Sequence, residues 1–402
     1  MVAVQYNPFI PEIQANPYPL YHQLRSEDPV HWSELMESHV FSRYDDVLAV
    51  LRDARFSANR RRARSRFVQA AAEMEEAGAP LFMAQTMLTS DPPEHTRLRG
   101  LVNKAFTARR IESLRPHIQE IVDELLDAVE GKGGMDVIWD LGYPLPVIVI
   151  AELLGVPPEH REQFKHWSDG IVGTLGAPMA SPETQQRAQT SVMELAAYFR
   201  DVVAERRRAP KDDLISALIS AEEQGNALGE EELIATLILL LVAGNETTTN
   251  LIGNGMLALL SHPDQLERLR NEPSLAEPAV EELLRYDSPV QATGRVALED
   301  VEVGGTVVPE GGVAFLLLGA ANRDPAVFPE PDRLDLGRQD NRHVAFGYGI
   351  HFCLGSPLAR VEAQVALPSL LRRFPNPRLA TEELEWSGGL ILRGLKKLPV
   401  EW

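Results

Sequence analysis

The chain has 402 residues, 44% hydrophobic and 24% charged, ordinary globular proportions that exclude a disordered or fibrous polymer. Acidic residues outnumber basic ones 58 to 39, and the formal net charge of −19 argues against nucleic acid as a partner. A single cysteine forms no internal disulfide, so nothing calls for an oxidising compartment and a cytoplasmic location is expected.

The opening stretch, "MVAVQYNPFIPEIQANPYP", has no basic segment followed by an apolar run, so neither a signal peptide nor a membrane anchor is expected. "PVHWS" and "HVFSR" read as short strands and "YDDVLAVLRD" (44–53) as a helix. "RRRARSR" (60–66) puts five arginines in seven positions; it reads as a solvated face, with docking of an acidic partner as the second reading. From about Thr96 to Leu275 the apolar period is helical almost throughout. Within it, "RPHIQEIVDELLDAVEG" repeats apolar residues three and four apart, with Gly131 as its expected C-cap. "GTLGAPMASPETQQ" (173–186) is the expected loop between two helical stretches.

"EEELIATLILLLVAGNETTTNLIGNGMLALLSHP" (230–263) predicts one very long helix whose acidic start suits the helix dipole. It is apolar nearly all round before Gly244 and so belongs in the middle of the protein. Its apolar run, 233–244, is well short of the ~20 residues a membrane span needs. Strand signals return over 294–319, with Gly304-Gly305 as a hairpin turn, and "SGGLILRGLKKLPV" reads as another hairpin. No linker or repeat divides the sequence, so one large, mostly helical α+β domain over 1–402 is expected.

The cysteine stands in "HVAFGYGIHFCLGSPLAR" (343–360), among glycines at 347, 349 and 355 and just ahead of a helix with Pro357 near its first turn. A thiol at a helix N-terminus meets free N–H groups and the positive end of the dipole, which favour thiolate, a nucleophile or a metal ligand. A packed core cysteine is the alternative. Zinc fits poorly, because no second cysteine accompanies His343 and His351. A cysteine nucleophile needs a histidine base, and His351, two residues away, would point elsewhere on an extended segment. An axial thiolate on a haem iron needs one cysteine, which matches the count.

"FGYGIHFCLGSPLAR" resembles the haem-binding loop of cytochromes P450, with Phe346, Gly349, Cys353, Gly355 and Ala359 in their family places. Further family markers occur in order. "AGNETT" (243–248) resembles the oxygen-activation motif, "EELLR" (281–285) supplies the ExxR pair Glu282 and Arg285, and "FPEPDRLD" (328–335) supplies a partner arginine, Arg333. The resemblance runs from "NPYPLYHQLR" through "DPPEHTRLRGLVNKAF" to the final hairpin and is greatest to soluble bacterial members that take electrons from separate proteins. Leu334 stands where the family often has phenylalanine, and Glu246 where aspartate is common.

The resemblance implies the cytochrome P450 fold, α+β and predominantly α-helical, with a long central helix over haem b (iron protoporphyrin IX) and small β-sheets. Cys353 is implied as the thiolate ligand of the iron, Phe346, Gly347 and Gly355 as haem-loop contacts, and His95, Arg99, Arg295 and His351 as partners of the propionates. Glu282, Arg285 and Arg333 are implied to fix the cysteine loop. Thr247 is implied to hydrogen-bond dioxygen while Glu246 relays protons.

By family position the substrate faces Met87, Leu240, Ala243, Gly244, Val290, Thr293 and Ile391, mainly small or aliphatic residues that suit an apolar organic molecule. The 173–186 loop and neighbouring helices are the expected lid. The implied activity is a monooxygenase that inserts one atom of O2 and reduces the other to water. No GxGxxG or cluster-binding cysteines accompany it, so a ferredoxin or flavodoxin with its reductase is the expected donor. Arg97, Lys104, Arg109 and Arg110 are the expected docking patch. A peroxide-using or non-oxidative haem-thiolate enzyme is the alternative, which the intact Glu246-Thr247 pair disfavours; a haem carrier or sensor is a more distant one. No membrane partner is expected.

Overall fold

The central helix organises the molecule. In the computed structural model, which describes residues 4–66, 68–69, 86–172, 181–221, 228–387 and 389–402, it runs unbroken from Glu230 to Leu260. Three glutamates occupy its first turn, and the Glu232 side chain accepts from the Gly229 N–H at 2.9 Å, meeting one of the donors a helix start leaves free. Twenty of its 31 residues are buried. It is long and apolar enough to cross a membrane, yet that surface is used inside the protein, against the helices Pro144–Leu153, Pro182–Arg208, Ala276–Tyr286 and Ser356–Arg373. Each leucine buried there contributes about 1.5–3 kcal/mol.

A five-stranded sheet flanks this helical body. Its order is Val30–Ser33, Ser38–Phe41, Val313–Leu317, Ala292–Ala297, Phe56–Ser57, with the second and third strands parallel and the other pairs antiparallel. Both strands read from the first third of the sequence, and the helix Tyr44–Arg52, fall where their patterns place them. The strands Val301–Val303 and Thr306–Val308 form the expected hairpin. Gly304 and Gly305 turn it at φ +60° and +77°, a region that favours glycine.

Two expectations need correction. The helix Arg115–Asp127 ends before Gly131, and Val129 beyond it is buried in the core at 1% exposure. The left-handed residue is Gly133, φ +72°, after a 3-10 turn. The helical stretch is also interrupted by a strand, Gly134–Asp136, which pairs with Pro399–Glu401 near the end of the chain; a partner so distant leaves no local mark. Of the expected 173–186 loop, 173–180 lie outside the described residues, and Ser181 caps the helix Pro182–Arg208 by accepting from the Thr184 N–H at 3.2 Å.

In the 60–66 run, Arg66 bonds Glu37 at 2.8 Å, Arg64 lies 3.4 Å from Glu310 and Arg62 3.9 Å from Asp91, contacts that a solvated face makes. The final hairpin pairs Trp386–Ser387 with Gly394–Leu395. Arg393 anchors it: its guanidinium stacks 3.6 Å from the Trp386 ring, bonds Asp287 at 2.8 Å and donates to the carbonyls of Gln14 and Ala15.

Candidate active site

The cysteine loop is shaped by two glycines. Gly347 and Gly349 sit at φ +70° and +74°, and a Cβ at Gly349 would fall 2.8 Å from the Leu51 carbonyl oxygen, so no other residue fits there. Gly355 has ordinary φ and begins the helix Ser356–Arg373, with Pro357 in its first turn. The Cys353 N–H donates to the Phe346 carbonyl at 3.0 Å, closing the loop. Cys353 is free and exposed. Protein crowding the sulfur pushes the thiol pKa up, opposed by the N–H groups of Gly355 and Ser356 and by the Arg99 and Arg360 charges.

One buried carboxylate, Glu282, and one half-buried, Glu281, brace this loop. Glu282 and Arg285, both 0% exposed, share a bidentate pair at 2.8 Å, and Arg285 also donates to the carbonyls of Asn322, Pro331 and Arg333. The further arginine on Glu282 is Arg338, whose Nε lies 3.1 Å from both carboxylate oxygens. Arg333, assigned to that place by motif position, instead extends into solvent and meets exposed Glu330 at 3.3 Å. Glu330 turns the chain at φ +46°, and Arg338 is the residue whose side chain comes back to the acid.

Beside this pair, Glu281 receives Arg360 at 2.7 and 2.9 Å and His343 at 3.1 Å. Burial alone would raise its pKa, but Arg360 and His343 hold the carboxyl down at about 2. Arg360 also lies 4.6 Å over the Phe346 ring, so one residue touches the loop and its supporting acid.

Near the cysteine, four basic residues converge. The His95 and His351 rings are 4.3 Å apart, and the His351 pKa is lowered to about 4 by burial, with Arg295, His95 and Arg99 adding to the effect and Asp91 opposing it. His95 is 3% exposed, and both its ring nitrogens are buried with no partner among the described residues. Arg295 donates to the Gly294 carbonyl at 2.8 Å and Thr293 Oγ1 at 3.4 Å, while Arg99 donates to the Phe352 carbonyl at 2.7 Å. Burial lowers the pKa of both arginines. Buried donors without acceptors are costly, and this set fits a ligand carrying carboxylates.

On the central helix Ala243 is exposed and Leu240, Gly244 and Thr247 are half-buried, unlike the buried residues on either side. A Cβ at Gly244, Gly294 or Gly347 would meet nothing within 4 Å, which leaves room for a flat ligand near the loop. The helix runs on through "AGNETTT", and Thr247 Oγ1 donates to the Ala243 carbonyl at 2.9 Å within it. Glu246 Oε2 is buried without a partner, and burial raises its pKa to about 7. Two residues further, Thr248 bonds Glu362 of the cysteine helix, a carboxyl raised to about 8 by complete burial.

Of the expected pocket residues, Val290 and Ile391 come together: Val290 bridges Leu392, and the Gln291 N–H donates to the Ile391 carbonyl at 2.7 Å. Thr293 lies on the adjoining strand, and Met87 is packed in the main core. In the expected docking patch Arg97 bonds Glu232 and Arg110 lies 3.6 Å from Asp212, while Lys104 and Arg109 are exposed.

Arg338, Glu281, Arg360 and Glu362 were not singled out by sequence reasoning. Glu281 adjoins the ExxR acid, and Arg360 and Glu362 lie on the helix after the cysteine, so their positions were the available signal. Arg338 lies outside every motif read from the sequence.

The family model described as cytochrome P450 matches residues 36–377. The chain is 46% identical over 369 residues to cytochrome P450 107B1 of Saccharopolyspora erythraea, covering 91% of this chain and 89% of that one. It is 44% identical over 400 residues to the cytochrome P450 monooxygenase PikC of Streptomyces venezuelae, covering 97% and 92%. The solved structure of P450BioI in complex with an acyl carrier protein bearing hexadec-9Z-enoic acid superposes with a TM-score of 0.88 at 41% identity, covering 98% and 99%. The family implies a haem, and the residues here fit one: an accessible lone thiol, partnerless donors for carboxylates and open glycines beside them. The chain therefore belongs to the cytochrome P450 family, among its bacterial monooxygenases.

Proposed function

We propose that this chain is a haem b monooxygenase that oxidises an apolar organic small molecule in the cytoplasm, with electrons from a separate ferredoxin or flavodoxin and its reductase. The observation that carries the reading is the gathering of His95, His351, Arg99 and Arg295, with both His95 nitrogens unmet, near the accessible Cys353 thiol. Cys353 would hold the iron as thiolate, and the four basic residues would hold the propionates. When bound, the haem supplies binding and reductive cleavage of dioxygen.

The chain's own residues supply protons and shape. Glu246, at about 7, gives and takes a proton near neutral pH. Thr247 keeps a hydroxyl proton at Oγ1 on the open side of the same turn. Leu240, Ala243, Val290 and Ile391 line an apolar approach that orients substrate and excludes water, with Thr293 as a hydroxyl beside it. Exposed Lys104 and Arg109, with exposed Ile350 and Phe352 of the cysteine loop, form a mixed basic and apolar surface for the electron donor.

The test is the visible spectrum of the dithionite-reduced protein with carbon monoxide. A strongly red-shifted Soret band that is lost in Cys353→Ser is expected; an unshifted band in the native protein overturns the reading. With substrate in hand, Thr247→Ala is expected to keep that band but divert most reducing equivalents from product to peroxide, whereas undiminished coupling would remove Thr247 from its role.

A further inference from the structure

The residue just before Glu246 has no part in the chemistry described so far. Asn245 is 0% exposed, and a buried amide is tolerated only where its donors and acceptors are met. Its Nδ2 donates to the Ser168 hydroxyl at 2.8 Å and also reaches the Tyr143 hydroxyl, which donates in turn to the Asp169 carboxylate. Thr249 Oγ1 donates to the Asn245 and Gly142 carbonyls, both at 3.0 Å. This polar knot joins the central helix, the turn that contains Gly142 and Tyr143, and the helix Arg161–Val172. Ser168 is fully buried and Tyr143 is 7% exposed, so little water competes for these bonds.

The helix Arg161–Val172 is itself locked to Pro182–Arg208. A Cβ on Gly170 would fall 2.1 Å from Ser191 Oγ and 2.9 Å from its Cβ, so the Ser191 side chain packs directly on the glycine and leaves no room for another side chain there. Trp167 Nε1 adds a bond to Glu194 at 2.7 Å. Close-packed surfaces transmit displacement, and a shift of either helix reaches Ser168 and Asp169.

We propose that Asn245 is a positioning residue that ties the Glu246–Thr247 turn to the helix Arg161–Val172 and, through it, to Pro182–Arg208, and so holds the orientation of the proton-relaying acid; this rests on the monooxygenase reading. Asn245 and Glu246 are adjacent on one rigid turn, so rotation at one moves the other. An apolar residue would fill the same space, but directional hydrogen bonds fix one arrangement.

The holoprotein and its Asn245→Leu and Tyr143→Phe variants test this, the second removing a single oxygen. The reduced carbon monoxide band is the control for the intact haem site. Backbone hydrogen exchange over 243–249 is expected to rise about fivefold or more in both variants, with exchange in the cysteine helix unchanged. The share of electrons appearing as peroxide is expected to rise severalfold while substrate affinity stays within about twofold. Unchanged exchange at the turn, uniform loosening of the whole protein, or faster exchange without a change in peroxide each overturns the proposal. Failure of the monooxygenase reading is distinguishable, because the native protein would then lack the shifted band while exchange at the turn is still read.

Discussion

The two sides of the site treat buried glutamates in opposite ways. Under the cysteine loop, Glu282 accepts from Arg285, Arg338, Asn341 and the Asp335 N–H, and Glu281 accepts from Arg360 and His343. On the central helix, Glu246 keeps one oxygen with no partner, and in the helix that packs against it Glu362 has an unmet Oε1. A carboxylate surrounded by donors is a structural anchor, because moving it breaks several charge-assisted bonds at once. One that is desolvated and left short of partners holds its proton near neutral pH and releases it at little cost. The loop that places Cys353 is thus built from the first kind, and the turn to which the proton relay is proposed holds one of the second.

The largest effect should come from breaking the anchor. Arg285→Leu leaves Glu282 buried with half its charge compensation gone, and about 3–5 kcal/mol of stability should be lost, seen as a collapse of soluble, haem-loaded protein. Arg338→Ala should lose about 2 kcal/mol by the same route, and Arg333→Ala less than about 0.5 kcal/mol, in thermal or urea unfolding. Equal losses for the two alanine variants would erase the distinction between Arg338 and Arg333.

A proton-handling residue should instead respond in rate. Glu246→Gln keeps the shape and removes the titrating proton, so product formation should fall on the order of a hundredfold with the carbon monoxide band unchanged. Its pKa in the folded protein, about 7, lies above the ordinary carboxyl value of 4.5. The stability of the native protein relative to Glu246→Gln should therefore decline as pH rises from about 4.5 through 7. A parallel pH profile of unfolding for the two proteins would remove Glu246 from the second class.

Glu281 should show the opposite slope. Its folded pKa of about 2 lies below 4.5, so its contribution is complete above pH 4.5 and disappears as pH falls toward 2. Glu281→Gln should cost roughly 2 kcal/mol at neutral pH, and the gap from the native protein should close over that acid window. A gap that persists at pH 2 would mean that packing, rather than charge, is what Glu281 supplies.

The features most legible in the sequence are those whose cause is local. A long stretch that is apolar nearly all round, with an acidic start, marked the central helix to within a few residues, and tandem glycines marked the turn at 304–305. The cysteine loop stood out because glycines, a lone thiol and a helix start fall within a dozen residues. What was not legible depends on partners far along the chain. Motif position chose Arg333, but the arginine whose side chain reaches Glu282 is Arg338, five residues on. Asn245 reads as one polar residue in a helix until Ser168 and Tyr143 are brought to it, and Glu362 until burial removes its solvent.

The Arg393 clasp bears on how such enzymes can be recombined. The final hairpin carries Ile391 toward the expected pocket and is an obvious module to exchange when a different substrate range is wanted. Its arginine, however, is held by the carbonyls of Gln14 and Ala15 and by Asp287, so the module is completed by residues at the far end of the chain. A chimera that takes its last twenty residues from one parent should inherit the opening segment from the same parent, or the transplanted hairpin will arrive without the partners that hold its shape.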